Sequence, residues 1–232
     1  AGRPASEWAL ATNDEPADAW ETALVGGRGK WRTAIVRLTD RVELRPRATV
    51  TLETSASVDD WVVSRAGSIA AADVIIDGAV VLTAVSVYAA WETTAREIYA
   101  DGSAHRILSD LSALMPKPNH QLLVAGDWNI LRGYGEFGNP YWRSRYDTVF
   151  QRAEALGLQF VGPQYPNGRQ ADPWPTELPH DSLCVPTFHH SRQKPATATR
   201  QLDFVFASMP LAHRVEVRAL NTAEEWGPSD HC

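Results

Sequence analysis

An apolar run near the middle of the chain, VVLTAVSV at 80–87, constrains the fold more than any other segment. A strand with so few polar side chains is covered on both faces, which is typical of a central strand in an α/β protein. Other short segments rich in Val, Ile, Thr and Ala are also predicted to be strands. They are Trp31–Arg37, Ala48–Glu53, Trp61–Ser64, Ser68–Ile76, Leu122–Ala125, Gln201–Ser208 and His213–Leu220.

Two further stretches have the spacing of amphipathic helices. The first carries Ala104, Ile107, Leu108, Leu111, Leu114 and Met115 and ends at Pro116-Lys117-Pro118, and the second carries Tyr146, Val149, Phe150 and Ala153 and stops at Gly157. Six prolines between Gly162 and Pro186 predict a long loop. With neither a repeat nor a linker, residues 1–232 are interpreted as one α/β domain in which helices cover mixed sheets.

Composition excludes some classes of protein. No apolar run approaches the roughly 20 residues of a membrane span, and no signal-peptide pattern is present, so we expect no membrane span. The net charge of −6 argues against tight, sequence-independent duplex binding. Cys184 and Cys232 are too few for a disulfide framework, although one bridge between them stays open, and they favour a reducing compartment. We expect a monomer.

Polar side chains stand at the ends of the predicted strands, where ligand sites of α/β sheets gather. Carboxylates, a carboxamide and a histidine brought together there would suit an oxygen-ligated divalent cation beside a general base. The alternative is that each is a turn residue bonded to its own backbone, or a solvated one. The residues are Asp127 and Asn129 in GDWN, Asp203 in RQLDFVF, Asp230 and His231 in SDHC, and Tyr88 after the apolar run.

The chain resembles the endonuclease/exonuclease/phosphatase superfamily, which has the deoxyribonuclease-I-like fold. The motifs that carry the resemblance occur in the family's order, from about residue 30 to the end. They are VSVY at 85–88, LLVAGDWN at 122–129, PTF at 186–188, RQLDFVFAS at 200–208 and SDHC at 229–232. The resemblance implies a four-layered α/β sandwich, with two mixed β-sheets flanked by helices.

The resemblance also implies hydrolysis of phosphoesters with a divalent metal, usually Mg²⁺, with Mn²⁺ as a substitute. It places Asp127 and Asn129 around the scissile phosphate and the attacking water. His231 becomes the phosphate-side histidine or general base, and Asp203 orients it. The remaining contacts are Asp230 near the metal and Tyr88 with the phosphate, and Thr187 and Arg200 are predicted to bind the substrate.

Elementary chemistry agrees with these roles. Mg²⁺ is a hard ion that prefers oxygen ligands and neutralises charge on a phosphate. A histidine titrates near neutral pH, and a buried carboxylate that accepts one ring N–H fixes its tautomer. Asp127 and Asn129 lie two residues apart and are expected to point to the same side, whereas Trp128 points away into packing.

The ends of the chain depart from the family pattern. Members of the family begin with a strand that carries an Asn, followed by a helix and a strand that ends in a metal-binding Glu, whereas this chain opens at AGRPASEW. It closes on Cys232, where the family continues into one more strand. We therefore expect a fragment cut at both ends, without a principal metal ligand, which as a fragment could be inactive.

The substrate is the least determined feature. In the abasic-site endonuclease branch, an Asn stands where this chain has Trp91, and a Trp stands where it has Arg200, which argues against dedicated abasic-site repair. The segment RGYGEFGNPYWRSR at 132–145 mixes arginines with aromatics, and either stacks bases and contacts phosphates or forms a self-packed surface loop. His180, His189 and His190 fit no usual zinc spacing.

Three functions follow from the sequence. The first is a metal-dependent nuclease or phosphodiesterase that acts on nucleic acid. The second is a phosphatase or phosphodiesterase of the same fold that acts on a small-molecule or lipid phosphoester, which the negative charge and the lack of a basic stripe favour. The third is a non-catalytic binding domain with the same fold.

Overall fold

The computed structural model describes residues 9–11, 33–91, 93–94, 97–98, 100–115, 119–227 and 229–232. The strands are β1 (Ala9–Ala11), β2 (Ile35–Arg37), β3 (Glu43–Arg47), β4 (Ile69–Ile76), β5 (Ala79–Tyr88), β6 (Thr93–Thr94), β7 (Glu97–Ile98), β8 (Leu122–Asp127), β9 (Leu158–Gly162) and β10 (Asp203–Ser208). The helices are α1 (Ala100–Leu111), α2 (Pro140–Ala155) and α3 (Met209–Ala212).

One mixed sheet of six strands organises the described residues, in the order β3-β4-β5-β8-β10-β9. Only β5 and β8 run parallel within this sheet, and α1 lies between them in sequence. β1 pairs with β2, and β6 pairs with β7, in two separate two-stranded sheets. The predicted α/β sandwich class is confirmed.

β5 lies inside the sheet, between β4 and β8, as its apolar sequence predicts. Val85 and Val87 are buried on one face, while the alternate positions of the strand are only partly buried. The start of the strand is less covered, because Val80 is 49% exposed. The covering of the second face is therefore thinner than the sequence predicts.

The helices cover the sheet with the residues that the sequence spacing indicates. α1 buries Ala104, Ile107, Leu108 and Leu111. α2 begins at Pro140, whose fixed φ suits a first helical position, and Asn139 caps it by accepting the backbone N–H of Tyr141 at 2.9 Å. Beneath α2, the Phe150 ring packs edge-on against Phe204. This aromatic core fixes β10, the strand that presents Asp203.

Three predicted strands are wrong as regular strands. Ala48–Glu53 and Trp61–Ser64 are reduced to one isolated bridge between Val50 and Val62. His213–Leu220 forms no ladder among the described residues, and Ala219 donates one backbone bond to Asn167, at 2.9 Å. Their alternating patterns fit a strand, but a strand also needs a partner along its whole length.

The predicted stop at Pro116-Lys117-Pro118 lies outside the described residues. Within them, no helix has the length and apolar content needed to cross a bilayer.

Candidate active site

Three strand ends meet at one edge of the large sheet. The parallel pairing of β5 with β8 places Tyr88 beside Asp127, and the antiparallel pairing of β8 with β10 places Asp203 directly opposite Asp127. The three residues thus share one rung across three neighbouring strands. The three residues are neighbours because of the order of the strands in the sheet, and no single sequence motif includes all three of them.

The GDWN turn is built on a close approach of two strands. Gly126 has φ +148°, and a Cβ at this position would collide with the backbone carbonyl of Val87. Trp128 points inward and is fully buried, with its indole N–H donating to the Phe204 carbonyl at 3.2 Å. The glycine and the tryptophan thus fix where Asp127 and Asn129 leave the strand.

Asn129 holds the Asp127 carboxylate from two directions. Its backbone N–H donates to Asp127 Oδ1 at 2.9 Å, and its side-chain Nδ2 donates to Asp127 Oδ2 at 2.8 Å. The second Nδ2 hydrogen goes to the carbonyl of Ala89 at 3.0 Å, and Oδ1 accepts the indole N–H of Trp91. Both hydrogens of the amide are therefore used within the protein, so contact with a phosphate would need one of them to be exchanged.

His231 lies between the two opposed carboxylates. Its Nδ1 is 2.8 Å from Asp203 Oδ2, and its Nε2 is 3.8 Å from Asp127 Oδ2. The ring centroid is 5.0 Å from that of Phe188, and the Ser229 hydroxyl accepts the His231 backbone N–H at 3.1 Å. The imidazole is thus held in place by its ring contacts and by its backbone.

The negative charge of the site changes its protonation behaviour. Burial and the charge of Asp203 raise the pKa of Asp127 to about 7, although the charge of His231 acts to lower it. Burial lowers the pKa of His231, but the hydrogen bond and charge of Asp203, with the charges of Asp127 and Asp230, outweigh it and raise the pKa to about 9. Burial and the charge of Asp127 also raise the pKa of Tyr88.

The donor set fits a divalent cation. Ligand atoms of Asp127, Asp203 and His231 lie within 4.8 Å of one another, and they form the only group of this kind among the residues with described positions. Asp230 is half-buried and acts electrostatically on both Tyr88 and His231. Three carboxylates around one imidazole leave excess negative charge, which a hard cation with oxygen ligands would balance.

The structure corrects one predicted contact. Thr187 was expected to face the substrate, but it is 2% exposed, and its hydroxyl accepts the backbone N–H groups of Leu202 and Asp203 at 3.0 and 3.1 Å. Thr187 thus fixes the start of β10 and, through it, the Asp203 carboxylate. Arg200 is partly exposed and forms an ion pair with Glu136 at 2.8 Å, so its charge is already partly balanced.

The structure adds Trp91, Phe188 and Ser229 to the residues that support the site. Trp91 stands three residues after Tyr88, where the sequence marked only a departure from the abasic-site branch. Ser229 stands two residues before His231, a spacing at which a hydroxyl commonly accepts a backbone N–H. Phe188 lies within the PTF motif, and its backbone bridges to both Arg200 and His231.

Other candidate features lie apart from this cluster. His180, His189 and His190 do not form a ligand group among the described residues, and the His189 ring instead packs 5.2 Å from Trp226. Cys184 and Cys232 are both free thiols. A cleft of about 590 Å³, lined in part by Arg132, Arg143 and Cys184, shares no residue with the carboxylate–histidine cluster.

Comparison with solved structures identifies the fold. The 3′ phosphatase NExo from Neisseria, solved with a product DNA hairpin, aligns over 85% of this chain and 71% of its own, with a TM-score of 0.50 and 19% identity. The AP endonuclease from Archaeoglobus fulgidus aligns over 71% and 62%, with a TM-score of 0.45 and 18% identity. The catalytic domain of human Nocturnin, with bound sulfate, aligns over 85% and 60%, with a TM-score of 0.45 and 16% identity.

The similarity to the Neisseria 3′ phosphatase, at a TM-score of 0.50, shows that the chain has the same fold, the deoxyribonuclease-I-like α/β sandwich. The chain spans less than two thirds of the length of the archaeal endonuclease. No family model matches the sequence, and no curated protein matches it. Because one fold hosts many activities, the function has to be argued from the site itself.

Proposed function

We propose that this chain is a divalent-cation-dependent phosphoester hydrolase that cleaves phosphodiester bonds in nucleic acid. The observation that carries the proposal is the imidazole of His231, hydrogen-bonded to Asp203 at 2.8 Å and facing a second carboxylate, Asp127. A histidine oriented by one acid beside a cation-binding cluster supplies the two elements that water-dependent phosphoester cleavage needs.

His231 and Asp203 act as a unit in this proposal. The Asp203 carboxylate accepts the Nδ1–H and leaves Nε2 on the side that faces Asp127. The raised pKa favours the imidazolium, a form that donates to a phosphate oxygen. Once the surrounding negative charge is balanced, the neutral imidazole is accessible and can take a proton from water.

The remaining residues orient the site and hold the cation. Asp127 and Asp230 would bind Mg²⁺ or Mn²⁺, and the bound cation would neutralise charge on the scissile phosphate and stabilise the departing oxygen. Asn129 fixes the rotamer of Asp127 through its two hydrogen bonds. The Tyr88 hydroxyl stays protonated because its pKa is raised, so it can donate to the phosphate.

Two other functions stay open. A phosphatase or phosphodiesterase for a small-molecule or lipid phosphoester would use the same cluster, and it agrees with the net charge of −6. A non-catalytic binding domain of the same fold would bind a ligand at this surface but would not hydrolyse it. The intact set of Asp127, Asn129, Asp203 and His231 argues against loss of activity by substitution.

The test is hydrolysis of a substrate panel that contains single-stranded DNA, single-stranded RNA, a dialkyl phosphodiester and a lipid phosphomonoester. We expect cleavage that disappears with a chelator, returns with Mg²⁺ or Mn²⁺, and is lost in His231→Ala. His213→Ala, which removes an exposed histidine elsewhere, should match wild type. Undiminished cleavage in chelator would exclude the proposed chemistry, and no cleavage of any substrate would favour the binding domain.

A further inference from the structure

Two exposed aromatic side chains are connected to the candidate site by short chains of contacts. Trp91 is 54% exposed, its indole N–H is bonded to Asn129 Oδ1, and the same Asn129 amide donates to the Asp127 carboxylate at 2.8 Å. Phe137 is 91% exposed and follows Glu136, which is paired with Arg200 at 2.8 Å. The backbone of Arg200 pairs in turn with Phe188, the residue that packs against His231.

Exposure of a single aromatic needs no explanation, but the backbone of Phe137 does. It has φ +52° and ψ +31°, a left-handed conformation that is strained for a bulky side chain. The turn around it is tight, since Gly138 N–H bonds to the Gly135 carbonyl at 3.0 Å, and a Cβ on Gly135 would collide with backbone atoms of Asn139 and Arg143. Neither the exposed phenyl ring of Phe137 nor its left-handed backbone conformation stabilises the fold. Folding stability therefore does not explain why a phenylalanine stands at this position.

The rest of the arginine–aromatic segment is used by the fold. Arg145 is paired with the buried Asp101 at 2.6 Å, and the Arg132 guanidinium lies 4.1 Å from the centroid of Phe160. Tyr134 is buried, and Trp142 stacks on Tyr146 at 6.0 Å. These contacts show that most of the segment packs against the fold or against itself. Phe137 is the aromatic residue of the segment for which this packing gives no role.

We infer that Trp91 and Phe137 form an aromatic rim that stacks unpaired nucleobases on either side of the phosphoester to be cleaved. Every nucleobase offers a flat π-face, so stacking accepts any sequence and needs no basic groove. That feature fits a chain with a net charge of −6. The ligand of such a rim is a nucleic-acid strand with several bases, because a mononucleotide offers a single base and stacks on one ring at a time.

The inference rests on the proposed function for the position of the phosphate, but its test does not use hydrolysis. Binding of a fluorescein-labelled oligo-dT to the full chain is measured by anisotropy, in excess chelator, with the strand checked for intactness. A second ligand of equal length carries abasic spacers at its central positions, and thymidine monophosphate serves as competitor. The abasic strand keeps every phosphate and removes only the central bases.

Four variants separate stacking from other effects. Trp91→Leu removes the ring, and Trp91→Phe keeps a ring but loses the indole N–H that holds Asn129. Phe137→Asn places a residue that tolerates the left-handed backbone, so this variant should fold at least as stably as wild type. Tyr165→Leu is the matched control, because Tyr165 is a 49% exposed aromatic on the loop after β9.

We expect Trp91→Leu and Phe137→Asn each to weaken oligo-dT binding at least fivefold, with no change for the abasic strand. Tyr165→Leu should bind oligo-dT as wild type does, and Trp91→Phe, which keeps a ring, should bind it more tightly than Trp91→Leu does. Equal losses for oligo-dT and the abasic strand, or no loss in either variant, would overturn the inference. Full competition by the monophosphate would overturn the strand as ligand, and failed hydrolysis with intact stacking would overturn only the proposed function.

Discussion

Asp203 stands directly opposite Asp127 in the antiparallel pairing of β8 and β10, and one imidazole contacts both carboxylates. Two acids on one rung would repel each other if both were charged without compensation. The raised pKa of Asp127, which follows from burial and from the charge of Asp203, is a sign of this repulsion. A cluster of side chains that disfavours the ionised form of one of its own carboxylates is typical of a functional site rather than of a structural one.

The first prediction concerns the His231–Asp203 pair. His231→Ala should lower turnover by about 10² to 10⁴ or more, the usual scale for a general base. Asp203→Ala should act in the same direction with a smaller effect, because it supports His231 rather than touching substrate. The measurement is kcat for both single variants and for the double variant.

The double variant decides whether the two residues form one unit. If they do, it should be no slower than His231→Ala alone. Effects that multiply would show that the two residues act independently, and the pairing would then have no catalytic meaning. His213→Ala gives the baseline for loss of an exposed histidine.

The second prediction is that Mg²⁺ or Mn²⁺ stabilises the folded chain through Asp230. A ligand present at a hundredfold its dissociation constant raises the free energy of unfolding by about 2.7 kcal/mol, so the thermal midpoint should rise with added cation. Asp230→Asn should need more cation for the same rise, while keeping its midpoint in chelator. Asp40→Asn, which changes an exposed acid, is the control, and identical cation responses in all three proteins would contradict the assignment.

The third prediction is that a side chain at Gly126 destabilises the fold. Gly126→Ala should lower the free energy of unfolding by about 2–4 kcal/mol, since the added Cβ meets the rigid Val87 carbonyl at φ +148°. Gly78→Ala has a positive φ but open space around it, so it should cost about 1 kcal/mol. Gly227→Ala, with neither problem, should stay within about 0.5 kcal/mol of wild type in urea denaturation.

Much of the fold could be predicted because the strands around the site carry strong local patterns. The run that became β5, the LLVA of β8 and the FVF of β10 are all apolar enough to specify buried strands. The helices were equally clear from their periodicity. His213–Leu220 shows the limit, because alternation specifies a face but does not supply a strand to pair with.

The site could be predicted only as a set of candidate residues. Motif order indicated Asp127, Asp203 and His231, but the 2.8 Å bond between Asp203 and His231 depends on the long-range bridge from Phe188 to His231. Thr187 was misjudged because sequence does not reveal that its hydroxyl is buried beneath β10. Trp91 was missed for the same reason, since its bond to Asn129 joins residues from different strand ends.

The last prediction concerns a carboxylate far from the site. Asp73 on β4 is 4% exposed, accepts from Arg47 at 2.6 Å and Arg45 at 3.3 Å on the edge strand β3, and also from Thr83 on β5 at 2.8 Å. Burial alone would raise the pKa of Asp73, but the hydrogen bonds from Arg47 and Thr83 and the nearby charge outweigh it and lower the pKa. A lowered pKa in the folded state stabilises the fold at pH values above the ordinary aspartate pKa of about 4. This contribution is lost as the pH falls through the pKa of the folded state.

Asp73→Asn should therefore reduce the free energy of unfolding at pH 7 by about 1–3 kcal/mol, with a difference that shrinks toward pH 3. Urea denaturation at pH 7, 5 and 3 measures it, with the exposed Asp59→Asn as control, and a difference that grows in acid would show that the sign is wrong.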